Sequence, residues 1–176
     1  PYGEDIFDID ISPDGKTLSA AVGDVQGLQK LVMLSTETLL EEKYEPTEVF
    51  DFDVSSPASF NFSKDGKFLF GSTYYSGVSN ITRYDIEKDE MKWLTNVETG
   101  YFKPLPISED TLMAFEYTGT GFLPVLIKNE PVENVSAIQF LGQEIVENHP
   151  MVIDWMLPPT SPETMDVEKL KTGQSA

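Results

Sequence analysis

The chain has 176 residues, 40% of them hydrophobic, and its 12 basic and 30 acidic residues leave a formal charge of −18. That length holds one domain, or one domain and a tail, and the charge argues against nucleic acid and anionic membranes as partners, because both repel such a surface. The absence of cysteine rules out disulfides, thiol catalysis and thiolate metal sites, and no apolar run approaches the roughly 18–20 residues that span a bilayer. The chain opens on Pro1 with no basic-then-apolar leader, and so reads as a mature product or an excised fragment. The plain reading of the charge is solubility; the sharper ones are a cationic partner or calcium in acidic loops.

Ile9-Asp10-Ile11 alternates apolar and polar, as a strand with one buried face does. Ser12-Pro13-Asp14-Gly15-Lys16 then predicts a tight hairpin turn in which glycine supplies a positive φ. Residues 17–22 follow as a second strand, 31–38 as a third running into a polar turn, and 40–45 as a fourth. The same order returns about 50 residues on: Phe60-Asn61-Phe62, then Ser63-Lys64-Asp65-Gly66-Lys67, then strands over 68–73, 81–88 (running into a polar turn) and 91–95. A third, decayed copy follows after a further 45 residues, as Leu105-Pro106-Ile107 and Ser108-Glu109-Asp110 without the Gly-Lys pair. Its later strands fall at 111–117, 123–128 and near 135–141.

Four antiparallel strands recurring every ~40–50 residues make propeller blades. A β-sandwich also has short, evenly spaced strands, but it does not explain why a turn motif and its following strand return together. The fold expected is all-β, a β-propeller segment of about three four-stranded antiparallel blades. Residues 1–157 hold the blades, at about 5–50, 51–99 and 100–141 plus trailing strands. After Pro158-Pro159, residues 158–176 form a linker or tail with room for a short helix over 162–172.

Catalytic chemistry finds little support in the residues. The lone histidine, His149, has no Gly-x-Ser-x-Gly elbow or Ser-x-x-Lys to work with. Asp8-x-Asp10-x-Ser12-x-Asp14-Gly15 resembles a calcium loop, yet counting from Asp10 the twelfth place is Ala21 where a bidentate glutamate is needed. A structural turn is the expectation, with no metal and no cofactor. Paired acids such as Asp51 and Asp53 would need alignment across a cleft to hydrolyse sugars. The sequons at Asn61, Asn80 and Asn134 would carry no meaning if the protein is bacterial, and Asn61 falls inside an expected strand.

Loops between second and third strands share one face of a propeller. Here they are residues 23–27, 74–77 and 118–122, rich in glycine and tyrosine. A rigid amphipathic ring on an adaptable backbone suits recognition, and the binding candidates are Asp24, Gln26, Tyr74, Tyr75, Tyr117 and Phe122. The competing reading is ordinary turn chemistry with aromatics packed between blades.

The Ser-Pro-Asp-Gly-Lys turn, Arg83-Tyr84-Asp85-Ile86-Glu87 and Trp93-Leu94-Thr95 resemble the TolB-type (WD40-like) repeat of bacterial exported propellers, over about residues 5–140. The resemblance implies a periplasmic or cell-envelope setting and non-catalytic binding of a protein partner. It transfers no functional residue, and its propellers carry six to eight blades where this chain supplies three. The alternative is the propeller of a prolyl-oligopeptidase-like serine hydrolase without its catalytic domain. Propeller sugar lyases rely on metal-binding histidines, which one histidine does not provide. Three blades leave two apolar flanks, so a homodimer, or pairing with further blades of a parent chain, is expected.

Overall fold

The chain divides into two units, Pro1–Ile138 and Gln139–Ala176. The computed structural model describes residues 4–132, all of them in the first unit. The strand expected near 135–141, the trailing strands and the tail, with His149 and Asn134, lie outside the described residues.

Three antiparallel meanders follow one another. The first is β1 (Glu4–Ile11), β2 (Thr17–Asp24), β3 (Gln29–Ser35) and β4 (Thr47–Asp51). The second is β5 (Pro57–Phe62), β6 (Phe68–Thr73), β7 (Asn80–Asp85) and β8 (Glu90–Trp93). The third has β9 (Tyr101–Pro106), β10 (Thr111–Thr118) and β11 (Gly121–Lys128) among the described residues. These are blades of a propeller segment. The expected strand at 40–45 is not one: a short helix, α1 (Thr36–Leu40), follows β3, and the fourth strand waits until Thr47. The residues explain it. Glu37, Leu39 and Leu40 favour helix over sheet, Glu37 suits a helix's first turn, and the Thr36 hydroxyl is anchored on Gly15 O at 2.8 Å.

The repeated turn folds twice in the same way. The Gly15 N–H bonds Ser12 O at 2.8 Å and the Gly66 N–H bonds Ser63 O at 2.9 Å, with φ +71° at each glycine. Each serine hydroxyl donates to the aspartate two residues on, at 2.7 and 2.6 Å, and accepts the N–H of Thr17 or Phe68, at 2.9 and 3.0 Å. Gly15→Ala and Gly66→Ala are each expected to cost about 1 kcal/mol; unchanged urea midpoints for both would contradict the shared turn. The serine bonds, together with the Lys16 and Lys67 N–H groups, also hold the Asp14 and Asp65 carboxyls below their ordinary value of 3.8. A depressed folded pKa contributes stability that is present above the unfolded pKa and lost as pH falls through the folded one. The melting temperature should therefore drop on acidification below about pH 4, and Ser12→Ala/Ser63→Ala should flatten that drop.

The third copy carries a correction. Pro106 pairs with Leu112 as Ile11 pairs with Leu18 and Phe62 with Leu69. All three inner strands bulge, with positive φ at Asp8, Ser59 and Lys103. The structural counterpart of Ser12 is thus Ile107, not Ser108, and those of Asp8 and Asp10 are Lys103 and Leu105. The shortened turn shifts the frame by one residue.

Blades pack face to face. Leu31 and Phe52 of the first meet Phe60, Phe62, Leu69 and Tyr84 of the second. Phe70, Ile81 and Leu94 of the second meet Leu112 and Ala114 of the third. The Phe60 ring lies so tightly on Gly71 that no side chain fits there. The inner strands are also bonded to each other. The Asp8 carboxylate accepts the Ser59 N–H at 2.7 Å and the Asp10 carboxylate the Phe62 N–H at 2.8 Å. The two acids that suggested a calcium loop are therefore a latch between blades.

Candidate functional site

In a run of meanders, alternate connections come out at the same end of the strands. One rim carries the β2–β3, β4–β5, β6–β7, β8–β9 and β10–β11 connections; the Ser-Asp-Gly turns and α1 sit on the other. All six binding candidates fall on the first rim, but they do different things there.

Asp24 is a turn builder. Its carboxylate accepts the N–H groups of Gln26 (2.8 Å) and Leu28 (3.0 Å), and Gly27 closes the loop at φ +87°. Gln26 is exposed at the loop tip. Tyr75 belongs to a ring cluster between the first two blades, 5.8 Å from Phe50, 6.5 Å from Phe52 and 5.7 Å from Trp93. For this residue the packing reading holds, although 49% of it stays exposed.

Tyr74, Tyr117 and Phe122 are brought together by a residue that the loop pattern does not single out, Phe102. Ring centroids run Tyr74–Phe102 6.1 Å, Phe102–Phe122 5.4 Å and Phe122–Tyr117 5.4 Å, tilted or edge-on throughout. Tyr74, Tyr117 and Phe122 are each more than half exposed, at 52, 52 and 56%. Edge-to-face rings stabilise one another by about 0.5–1.5 kcal/mol per pair, so the strip spans two blades as a pre-ordered surface. Phe102 lies over Gly100, where a Cβ would come within 3.0 Å of its ring. An aromatic following a Gly-Tyr pair at the start of an inner strand was the available signal.

The backbone under the strip is stitched down. Ser79 exchanges bonds with Tyr101, N–H to carbonyl at 2.8 Å and hydroxyl to carbonyl at 2.7 Å, and the Tyr117 N–H bonds Gly100 O at 2.9 Å. Beneath the Tyr74 loop Asn80 is fully buried. Its amide donates to the Ser76 hydroxyl (2.9 Å) and its carbonyl accepts the Thr95 hydroxyl (2.9 Å) and the Val97 N–H (3.0 Å). A sequon at this asparagine is thus a core position and no acceptor for a sugar. The strip offers apolar area, π-faces and two phenols. Carboxyls displaced from their ordinary range lie away from it: Asp14, Asp65 and Asp85, the last lowered by its bond to Lys88, all sit at the opposite rim.

The opposite rim has a cleft of about 410 Å³ between the second and third blades, walled by Phe68, Phe70, Pro106 and Ile107. Its counterpart between the first two blades, where Pro13 reaches across to Gly66, is about 230 Å³.

No protein-family model matches the sequence, and no curated protein matches it either. Solved structures do resemble the fold. A putative TolB from Agrobacterium tumefaciens superposes with a TM-score of 0.60 at 15% identity, over 73% of this chain and 47% of that one. TolB from Acinetobacter baumannii gives 0.54 at 15% identity, over 76% and 33%. A puromycin hydrolase gives 0.53 at 13% identity, over 72% and 22%. The chain spans less than half the length of each. Its fold is that of a β-propeller segment of the TolB type.

Proposed function

We propose that this chain is a non-catalytic binding module of an exported bacterial protein, with a protein partner docking on the rim that carries Tyr74, Phe102, Phe122 and Tyr117. The observation that carries the reading is the half-exposed, mutually packed ring strip, since solvent-exposed aromatics held rigid by neighbours are what interfaces concentrate. The likeness to TolB propellers supports a periplasmic or envelope setting. Pairing with further blades, from a longer chain or a second copy, belongs to the same reading. Ile9 and Ile11 are 60% and 52% exposed at the positions where Phe60 and Phe62 are buried against a neighbouring blade. A second reading, the propeller of a prolyl-oligopeptidase-like serine hydrolase without its catalytic domain, is favoured by the likeness to puromycin hydrolase.

A displayed-peptide library panned on the chain tests the first reading. Enriched peptides should lose about tenfold or more in affinity for a Tyr74→Ser/Phe122→Ser variant. Peptides that bind parent and variant alike would reject the strip as the docking face. Esterase and peptidase substrates should not be turned over; turnover abolished by mutating one of the chain's own carboxylates would overturn the non-catalytic assignment.

A further inference from the structure

The latch between the first two blades has a vacant counterpart on the open flank of the first. Along β1 the Ser12 N–H turns in to Thr17 O at 2.8 Å, so the Ile11 N–H before it points out of the blade, as alternate N–H groups of an edge strand do. β5 repeats this. The Ser63 N–H turns in to Phe68 O at 2.8 Å, and the outward Phe62 N–H is the one that the Asp10 carboxylate accepts. The bulge repeats as well, with φ +50° at Asp8 and +55° at Ser59, whose N–H the Asp8 carboxylate accepts. By this equivalence β1 presents the Asp8 and Ile11 N–H groups to its open side, beside the half-exposed Ile9 and Ile11, where β5 presents those of Ser59 and Phe62 beside the buried Phe60 and Phe62. Among the described residues no side chain accepts either of the two β1 groups.

The junction between the second and third blades has no such latch, and donor and acceptor are missing together. In β9 the place of Phe62 is held by Pro106, which has no N–H to give. In β5 the place of Asp10 is held by Asn61, whose amide turns back on Ser59 O. At the far flank β9 carries Lys103 and Leu105 where β1 carries Asp8 and Asp10, and neither of those side chains can accept a hydrogen bond. Resting on the reading that the flanks pair with further blades, we infer that the partner docking on the open flank of the first blade is an extended strand with two carboxylates two residues apart. They take the Asp8 and Ile11 N–H groups as Asp8 and Asp10 take those of Ser59 and Phe62, while apolar neighbours cover Ile9 and Ile11. A second copy of this chain does not provide that strand: its β9 would bury both N–H groups without acceptors, which is unfavourable. The charge of −18 opposes an acidic strand at long range, where salt screens it. The bonds themselves, at 2.7 and 2.8 Å in the latch already formed, are short-ranged and charge-assisted.

Sedimentation of the full chain and its variants tests this by giving a second copy the missing acids. The parent chain should not self-associate. Lys103→Asp/Leu105→Asp puts the acid pair on the third blade and should associate at least about tenfold more tightly. Lys103→Ser/Leu105→Asn, which installs the residues of β5, should not. Adding Ile11→Pro to the first variant removes the outward N–H and should reverse the gain. Pro106 occupies the same place in β9, so the melting temperature should hold. No gain for Lys103→Asp/Leu105→Asp would overturn the inference, as would an equal gain for Lys103→Ser/Leu105→Asn. Association that survives Ile11→Pro would leave flank pairing standing and remove the latch. A parent chain that associates, and stops on Ile11→Pro, would overturn the exclusion of a second copy. Binding of the neutral apolar dye Nile red, lost in Ile9→Ser/Ile11→Ser, reports separately whether the flank is open. A flank that takes no dye removes the pairing reading itself, whereas an open flank without the gain removes only the acid-bearing partner.

Discussion

Phe60→Ala is expected to destabilise the chain by about 3–5 kcal/mol, the usual cost of emptying a well-packed aromatic site. Phe60 is 1% exposed, stacks against Phe52 at 5.8 Å and fills the space above Gly71. It holds the second blade to the first, so the hole cannot close without moving a blade. Ile9 is its repeat equivalent on β1 and is 60% exposed. Ile9→Ala should cost about 0.5 kcal/mol or less. Urea midpoints of the two variants, measured side by side, check the repeat logic: similar losses at both positions would mean that the two positions are not a packed blade interface and an open flank. Gly71→Ala should be nearly as damaging as Phe60→Ala, because the added methyl meets a core ring that has nowhere to go.

Asn80→Ala should cost on the order of 3 kcal/mol, since a buried donor or acceptor left without its partner costs about 1–3 kcal/mol. The asparagine is fully buried and its loss strips bonds from the Ser76 and Thr95 hydroxyls and the Val97 N–H together. Asn80→Asp keeps the acceptor but loses the amide donor to Ser76 and buries a charge, so it should not rescue. The expected signature is a coupled one. Amide exchange should quicken at 76–79 and 95–97, the two loops the asparagine ties, before it quickens in the blade cores. Loss confined to one of these loops would contradict the tie.

What could be read from the residues was what is local. Ser-x-Asp-Gly-Lys encodes its own hydrogen bonds, so two turns and the period were legible, and with them the strands, the blades and the rim on which the loops emerge. α1 was not, because the repeat placed a strand at 40–45 directly after 31–38, where Glu37, Leu39 and Leu40 instead favour a helix over 36–40 and the fourth strand starts only at Thr47. The third blade was read one residue out of register. Its bulge at Lys103 keeps the spacing of the other blades, and the turn after it is one residue shorter, which Ser108-Glu109-Asp110 disguised by looking like a shifted copy of the motif. At the site, topology alone placed Tyr74, Tyr117 and Phe122 on one face. Phe102 escaped notice because it lies in a strand, and its role depends on a Gly100 that lets its ring fold back toward the rim. Asp8 and Asp10 suggested a cation until the blade beside them showed which N–H groups they accept.

Docking of a partner on one rim, through one ring strip, is tested most directly by amide hydrogen exchange of the full chain, alone and saturated with the tightest peptide from the panning. Slowed exchange should fall on residues 74–79, 100–102 and 117–122, with the turns at 12–16 and 63–67 unchanged. Slowing at those turns, with the ring strip exchanging as in the free chain, would contradict it.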